Sequence, residues 1–457
     1  MQVKGGRLEL MVPHMLRSQL LRPGFVRMSL KLGLTRQMPA WAKLQFTSHG
    51  VTPEDLNHVL GRVESLESWA NEWEALGRSH EARGHAALEW GKSEEAASRY
   101  LTASACYNFA QYVVFLDPAR KRELHLACVR AYALAAPHFA VPATRFEVPF
   151  RKRLIRGYLR VPPGDGPRPV AVIFNGTNAV KEELHWWGDS FLARGLAVIT
   201  FDGPGLGETF HRLGYVAEPR PVGVAIMNHI ERHPELDPDA VGYMGLSLGG
   251  YCAIRMAAHD PRVRAVAAVS PPFSADVYWN VTLFSMRREL AALYDMPIDE
   301  MDRHIPRITL ADTLPKLDRP LMVAGGGHDM ITPGEEAFRI FETARCEREL
   351  VFYPRGAHDC FNVLADLRPR MTAWLARQVT RYRPGLVTRP RRAIAPPRDP
   401  AWVAGEAVDP DFADELRGDA RPLEWHAPVE RPSLGALFRW PWAAERQLEV
   451  VHKMVVL

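Results

Sequence analysis

Residues 239–260 read DAVGYMGLSLGGYCAIRMAAHD. Ala240–Met244 is short and mostly apolar, the pattern of a buried strand. Gly250–Ala258 has helical spacing, with Cys252, Ala253, Met256 and Ala257 sharing one face. Between them Gly245-Leu246-Ser247-Leu248-Gly249 fits G-x-S-x-G. A strand, a sharp turn and a helix is the setting in which this pattern places a nucleophilic serine. The glycines have a steric reason: the turn forces the serine into a strained conformation, and side chains two residues to either side would collide. The competing reading is a glycine-rich turn that exposes an ordinary serine.

A serine hydroxyl is a weak nucleophile at neutral pH. It needs a base, and the base needs an orienting acid. Both follow in the chain. Pro320-Leu-Met-Val-Ala-Gly-Gly-Gly-His-Asp329 is a strand and a loop ending in Asp329. Leu350-Val-Phe-Tyr-Pro-Arg-Gly-Ala-His358 is a strand and a loop carrying His358. The order Ser, Asp, His is that of the α/β-hydrolase fold. His328 precedes the acid directly and is expected to point elsewhere. Asp359 follows the histidine directly and is set aside as an orienting acid, being too close to reach round the ring. The oxyanion of a tetrahedral intermediate needs two backbone N–H donors. Leu248, after the serine, is one. The loop Asn175-Gly176-Thr177-Asn178, after the strand Pro169–Phe174, supplies the other, assigned to Thr177 with Gly176 as alternative. Asn175 and Asn178 are candidate substrate contacts.

Further strands are expected at Arg145–Phe150, Leu154–Val161, Leu196–Phe201, Arg264–Val269 and Glu349–Tyr353. Helices are expected at Lys181–Arg194 and Val222–Arg232. This alternation predicts a mostly parallel sheet covered on both faces, an α/β class fold. Phe273–Lys316 interrupts it and is read as a lid insertion, 273–316, with Tyr278 and Trp279 as further pocket candidates. Gly203-Pro-Gly-Leu-Gly207 follows a strand but is one residue short of a dinucleotide fingerprint and holds a proline in the turn. It is read as a rigid loop beside the site, so no cofactor is expected.

Upstream, Thr52-Pro53-Glu54-Asp55 is a helix start with a capping hydroxyl, a proline and acids in the first turn. Leu66, Trp69, Trp73 and Leu76 recur at helical spacing, and further helices are expected after Gly91 and after Asp117-Pro118. The chain therefore divides into a basic arm (1–50), an all-helical cap domain (51–140), a catalytic domain (141–382) and a Pro/Arg-rich linker with a C-terminal extension (383–457).

Composition is that of a globular protein: 457 residues, 47% apolar, 24% charged, net charge +4. The charge is too small to argue for nucleic acid, and no apolar run approaches the roughly 18–20 residues of a membrane span. Five scattered cysteines and no secretory pattern at the N-terminus point to a reduced, cytoplasmic location. No metal-ligand spacing is present, so no metal is expected. The extension leaves a homodimer open.

Val172-Ile-Phe-Asn-Gly-Thr-Asn-Ala-Val-Lys-Glu-Glu183, Ile199-Thr-Phe-Asp-Gly-Pro-Gly-Leu-Gly-Glu208, Gly245–Tyr251 and the helical Trp69-Ala-Asn-Glu-Trp73 together resemble the 2,6-dihydroxypseudooxynicotine hydrolase group, with its fungal Ayg-type polyketide-shortening hydrolases. The resemblance spans roughly residues 50–380. It implies an α/β-hydrolase fold with a helical N-terminal cap, and Ser247, Asp329 and His358 as a triad. It also implies cofactor-free hydrolysis of an ester, or of a carbon–carbon bond next to a ketone, in a bulky small molecule of polyketide or aryl-ketone type. Some members employ a further carboxylate after the sixth strand. Here that region reads Tyr278-Trp-Asn-Val-Thr282, without an acid, and Asp276 is the nearest. Two alternatives stay open: the same triad used for acyl transfer, cyclisation or elimination, and a non-catalytic binding protein using the helical domain.

Overall fold

A computed structural model describes residues 23–381, apart from 39, 116, 152, 211–217, 280–283 and 294–295. Most of the arm (1–22) and the linker and extension (383–457) lie outside the described residues, which fall in a unit ending at Thr388.

Eight strands form one sheet in the order β1-β2-β4-β3-β5-β6-β7-β8. β1 (Thr144–Phe150) and β2 (Arg153–Arg160) make an antiparallel pair, and β2 lies antiparallel to β4 (Ala197–Phe201). From β4 onward all neighbours are parallel: β3 (Arg168–Phe174), β5 (Leu236–Leu246), β6 (Val263–Val269), β7 (Leu321–Gly326) and β8 (Arg348–Tyr353). Along β3, Val170, Val172 and Phe174 enter one apolar core, while Ala171 and Ile173 enter the other. Both faces are buried, which is why these strands are apolar throughout rather than alternating. Helices Arg220–Arg232, Leu248–His259 and Gly334–Thr343 cover the first face. His185–Leu192 and Leu364–Thr380 cover the second. This is the α/β-hydrolase fold.

Helices Pro53–Arg62, Leu66–Glu89, Ser93–Gln111 and Pro118–Ala135 precede the sheet. Thr52 caps the first, its side chain accepting from the Asp55 N–H at 3.1 Å. Leu66–Glu89 and Ser93–Gln111 form a hairpin that turns at Gly91 (φ 71°). A Cβ on Gly77 would stand 2.9 Å from the Tyr107 ring, and one on Gly84 2.6 Å from the Tyr100 ring. Glycines at these two positions let the helices close over buried tyrosines. Phe46, Trp73 and Phe109 form the aromatic centre of this layer, with ring centroids 4.9–5.1 Å apart. Val180, from the loop after β3, and Trp186, from helix His185–Leu192, pack against it.

The 273–316 insertion contains helices Asp276–Trp279, Phe284–Leu293 and Ile298–His304. Its base is pinned by the bridge Ser274–Thr309 and by Glu336, whose Oε2 accepts from the Phe273 and Ser274 N–H groups at 2.8 and 3.1 Å.

Candidate active site

β5 ends at Leu246, and Ser247 occupies the turn with φ 50° and ψ −121° before helix Leu248–His259 begins. A non-glycine residue in this region is strained and persists only where its surroundings fix it. The flanking glycines show how it is fixed. A Cβ on Gly245 would fall 2.1 Å from the Gly249 carbonyl oxygen, and one on Gly249 2.5 Å from the carbonyls of Phe174 and Asn175. The turn is therefore packed backbone to backbone against the loop after β3. The Ser247 N–H donates to the Val269 carbonyl at the end of β6 (2.8 Å).

His358 and Asp329 meet as the chain order suggests. His358 Nδ1 lies 2.9 Å from Asp329 Oδ2 and 3.0 Å from Oδ1. Asp329 is buried, and Oδ1 also accepts from the N–H groups of Ile331 and Thr332, both at 2.8 Å. These bonds fix the carboxylate before it fixes the ring. The His358 loop returns to β6 one residue beyond Ser247's anchor: the Asp359 N–H donates to Ser270 Oγ at 3.1 Å. Serine turn and histidine loop thus hang from consecutive residues, Val269 and Ser270.

Asp329 alone occupies Nδ1, in keeping with setting Asp359 aside as orienting acid. Asp359 nevertheless reaches the ring from the other edge, its Oδ2 3.7 Å from Nε2. This corrects the expectation that a residue directly after His358 is too close to reach round the ring. Instead Asp359 and Cys360 both take left-handed backbone conformations (φ 53° and 52°), which fold the carboxylate back. Burial works to lower the His358 pKa, but the charges of Asp329 and Asp359 and the Asp329 hydrogen bond outweigh it and hold the imidazole at about 9. Burial pushes Asp359 up to about 6, helped by Asp329 and Glu183 and opposed by His358 and the Ser247 backbone.

Leu248 opens the helix after the serine, so its N–H belongs to the first turn, which has no partner within the helix. Gly176 lies against the serine: a Cβ there would stand 3.2 Å from Ser247 Cβ. Thr177 is the next residue of the same turn. The two asparagines of this loop are engaged inside the protein. Asn175 Nδ2 donates to the Ala179 carbonyl (2.7 Å) and Asp202 (3.3 Å). Asn178, itself left-handed (φ 64°), accepts from Lys121 Nζ at 2.6 Å and donates to the Tyr112 carbonyl at 2.9 Å. Gln111 Nε2 donates to its carbonyl at 2.8 Å. Both side chains shape the loop. Trp279 is buried in the insertion and donates to Asp302 Oδ1 at 2.6 Å, while the Tyr278 side chain lies outside the described residues.

Behind the loop lies a buried charge cluster. Lys181 Nζ contacts Asp202 Oδ2 (2.8 Å), Glu182 Oε1 (2.8 Å) and Glu208 Oε2 (3.0 Å). Asp202 further accepts from the N–H groups of Lys181 (2.8 Å) and Glu208 (3.0 Å). Burial alone would lower the Lys181 pKa; Asp202, Glu182 and Glu208 raise it instead. Gly207 (φ 46°) packs on Asp202, where a Cβ would come within 2.4 Å of the carboxylate. So the Gly203–Gly207 loop is tied to the loop after β3. Glu183 faces the helices instead: its Oε2 accepts from Tyr112 Oη (2.6 Å) and Asn108 Nδ2 (2.8 Å), and its Oε1 lies 3.8 Å from His49 Nε2. A cavity of about 10 Å³ beside it, the room of roughly one water, is lined by His49, Ser104, Asn108, Glu182 and Trp186. Among the described residues no group of three or more His, Cys, Asp or Glu is placed to hold a metal, and no helix is long and apolar enough to cross a membrane.

A family profile described as "Esterase FrsA-like" matches residues 38–313. The 2,6-dihydropseudooxynicotine hydrolase of Paenarthrobacter nicotinovorans is 27% identical over 344 residues, covering 74% of this chain and 91% of that protein. The hydrolyase poxO of Penicillium oxalicum is 32% identical over 332 residues, 60% of this chain and 78% of its own. Among solved structures, the 2,6-dihydroxy-pseudo-oxynicotine hydrolase superposes with a TM-score of 0.68 at 25% identity, over 74% of this chain and 95% of that one.

Proposed function

This chain belongs to the FrsA-like esterase family and is an α/β hydrolase, and on that premise we propose that Ser247, His358 and Asp329 form its catalytic triad. The observation that carries this reading is the His358–Asp329 pair, with Nδ1 in reach of both carboxylate oxygens, on a loop whose anchor, Ser270, is next to Val269, the anchor of the strained Ser247 turn.

In this reading Ser247 Oγ attacks a carbonyl carbon and His358 Nε2 takes its proton. Asp329 holds the ring and stabilises the imidazolium. The N–H groups of Leu248 and Thr177, or Gly176 in its place, receive the oxyanion. His358 returns the proton to the leaving alkoxide or enolate, and water then releases the acid from Ser247. No cofactor enters this sequence of steps. The bond cleaved is an ester, or a carbon–carbon bond next to a ketone. The substrate is bulky and partly apolar, of the polyketide or aryl-ketone kind. Relatives named as 2,6-dihydropseudooxynicotine hydrolase and hydrolyase poxO support that class. Residues 51–140 serve as the cap over the site, and residues 273–316 as the lid.

A fluorophosphonate probe tests the nucleophile. One adduct on the intact protein, mapped to Ser247 and absent in Ser247→Ala, is the expected result; full hydrolysis by Ser247→Ala would exclude the mechanism. Turnover in heavy-oxygen water tests the reaction type, since hydrolysis alone puts solvent oxygen into the product acid.

A further inference from the structure

The resemblance to the pseudooxynicotine hydrolases implies, in some members, a carboxylate beyond the triad, sought after the sixth strand. Residues 278–282 hold none. A carboxylate nevertheless stands at the reacting edge of the base, and it comes from the loop after β8. We propose that Asp359 is a positioning residue of this hydrolase, acting through His358: its carboxylate faces Nε2 and stabilises the imidazolium formed when that nitrogen takes a proton. This rests on the reading of Ser247 and His358 given above.

Three observations carry it. The first is position. Nδ1 is filled by Asp329, so Nε2 is the nitrogen left to exchange protons, and Asp359 Oδ2 is 3.7 Å from it. The imidazole lies between two carboxylates. The second is strain. Asp359 takes φ 53° and Cys360 φ 52° in succession. Each is a conformation that costs a non-glycine residue of order 1 kcal/mol or more. The sterically easier residue would be glycine, and aspartate here delivers a charge to the ring. The third is bonding. Asp359 Oδ1 is buried and has no hydrogen-bond partner among the described residues. The carboxylate, bonded by the Ser247 backbone, thus keeps one acceptor open.

The other groups around the pair come from every side of the loop. Asp329 lies beyond Nδ1. Glu183, from the turn after β3, raises the Asp359 pKa. Tyr112, at the end of helix Ser93–Gln111, bonds Glu183 and is itself pushed up by burial, by Glu183 and by Asp359. The Cys360 thiol is raised by burial and by both aspartates. Tyr112 and Cys360 therefore stay neutral, and the charges that His358 meets are those of the carboxylates. No covalent step is assigned to Asp359. Its effect is electrostatic: it makes Nε2 a stronger base, and it delays release of the resting proton to higher pH.

The test uses the full chain with Asp359→Asn and Asp359→Gly, both compatible with a left-handed backbone. The His358 pKa is read by NMR titration of histidine-labelled protein, with the signal assigned from His358→Gln. The pH dependence of the fluorophosphonate labelling rate is read in parallel. The His358 pKa, and with it the acid limb of the labelling profile, is expected to fall by about one pH unit in both variants. A purely structural role would lower the labelling plateau and leave the limb in place. An unchanged or raised His358 pKa overturns the inference, whatever Ser247 does. Absence of labelling in the wild type, with the His358 pKa still sensitive to residue 359, overturns the nucleophile and leaves the electrostatic coupling standing.

Discussion

Two carboxylate-rich centres lie at the strand ends of this sheet, and they use the same residue types to opposite effect. Around Lys181, Asp202 accepts from the backbone of Lys181 and Glu208, from Lys181 Nζ and from Asn175. Lysine and aspartate there are sealed from solvent. Around His358 the ring keeps 19% of its side chain exposed, Asp359 keeps 30%, and one Asp359 oxygen has no donor. The contrast teaches that access to solvent, more than the presence of charge, separates the two centres: Lys181 and Asp202 are sealed, whereas His358 and Asp359 are not. A sealed carboxylate holds two loops together. An accessible one beside a titratable ring can change what that ring does.

The strongest way to break this contrast is at the serine. Ser247→Ala should reduce turnover by about 10⁴-fold or more while leaving the urea unfolding midpoint close to wild type. Removing the fixed charge should do the reverse in kind. Lys181→Met leaves Asp202 and Glu182 buried without their cation, while Glu208 keeps Arg145, and should cost about 3–5 kcal/mol in stability, read from urea unfolding. A variant as stable as wild type would show that the Lys181 centre is not architectural.

Acid titration gives a smaller effect. His185, buried against Tyr132 and Arg160, has its pKa lowered to about 3 by burial and by Arg160, against a pull from Asp189. Its folded pKa lies below the unfolded value of 6.5. The neutral ring's contribution is therefore fully present above pH 6.5 and is lost as pH falls towards 3. By pH 5 the loss should reach about 2 kcal/mol. Glu208, lowered to about 2 despite burial by Lys181 and Arg145, adds a second loss from 4.5 downward. Equilibrium unfolding from pH 8 to pH 4, compared with His185→Gln, checks the first window: the variant should lose the His185 share of the slope between 6.5 and 5 and keep the share of His229, His49 and His80, whose pKa values burial also lowers. A comparable effect is expected at the clasp. Asn178→Ala removes bonds to Lys121 and the Tyr112 carbonyl and should cost about 1–3 kcal/mol, with a parallel loss of turnover from the loosened Thr177 loop.

The sheet was legible because strands buried on both faces are apolar without a break, as in Val170–Phe174. The serine turn was legible because its glycines answer a backbone collision that any such turn meets. Asp329 and His358 were found from chain order, and the structure brings them together. Asn175 and Asn178 look like substrate contacts because an asparagine in a loop near a nucleophile carries no mark of direction, and only the fold shows Asn178 turned towards Lys121. Asp359 was hidden for a related reason. The sign of φ at two successive non-glycine residues is set by tertiary contacts such as Asp359 N–H to Ser270 Oγ. Local sequence carries little trace of it. Glu183 and Tyr112 were visible as letters, but their pairing across 71 positions was not.

The Asn178 clasp bears on how such a chain could be rebuilt. Lys121, Gln111 and the Tyr112 carbonyl, all from the helical layer, grip one residue of the loop beside the serine. A roof that merely sits over a site can be exchanged for another to change what is admitted. The helical layer here is scaffolding for the loop it grips. Grafting a foreign helical layer onto the sheet would forfeit that support unless the three contacts travelled with it. The layer is therefore more readily altered by editing side chains within it than by swapping it whole.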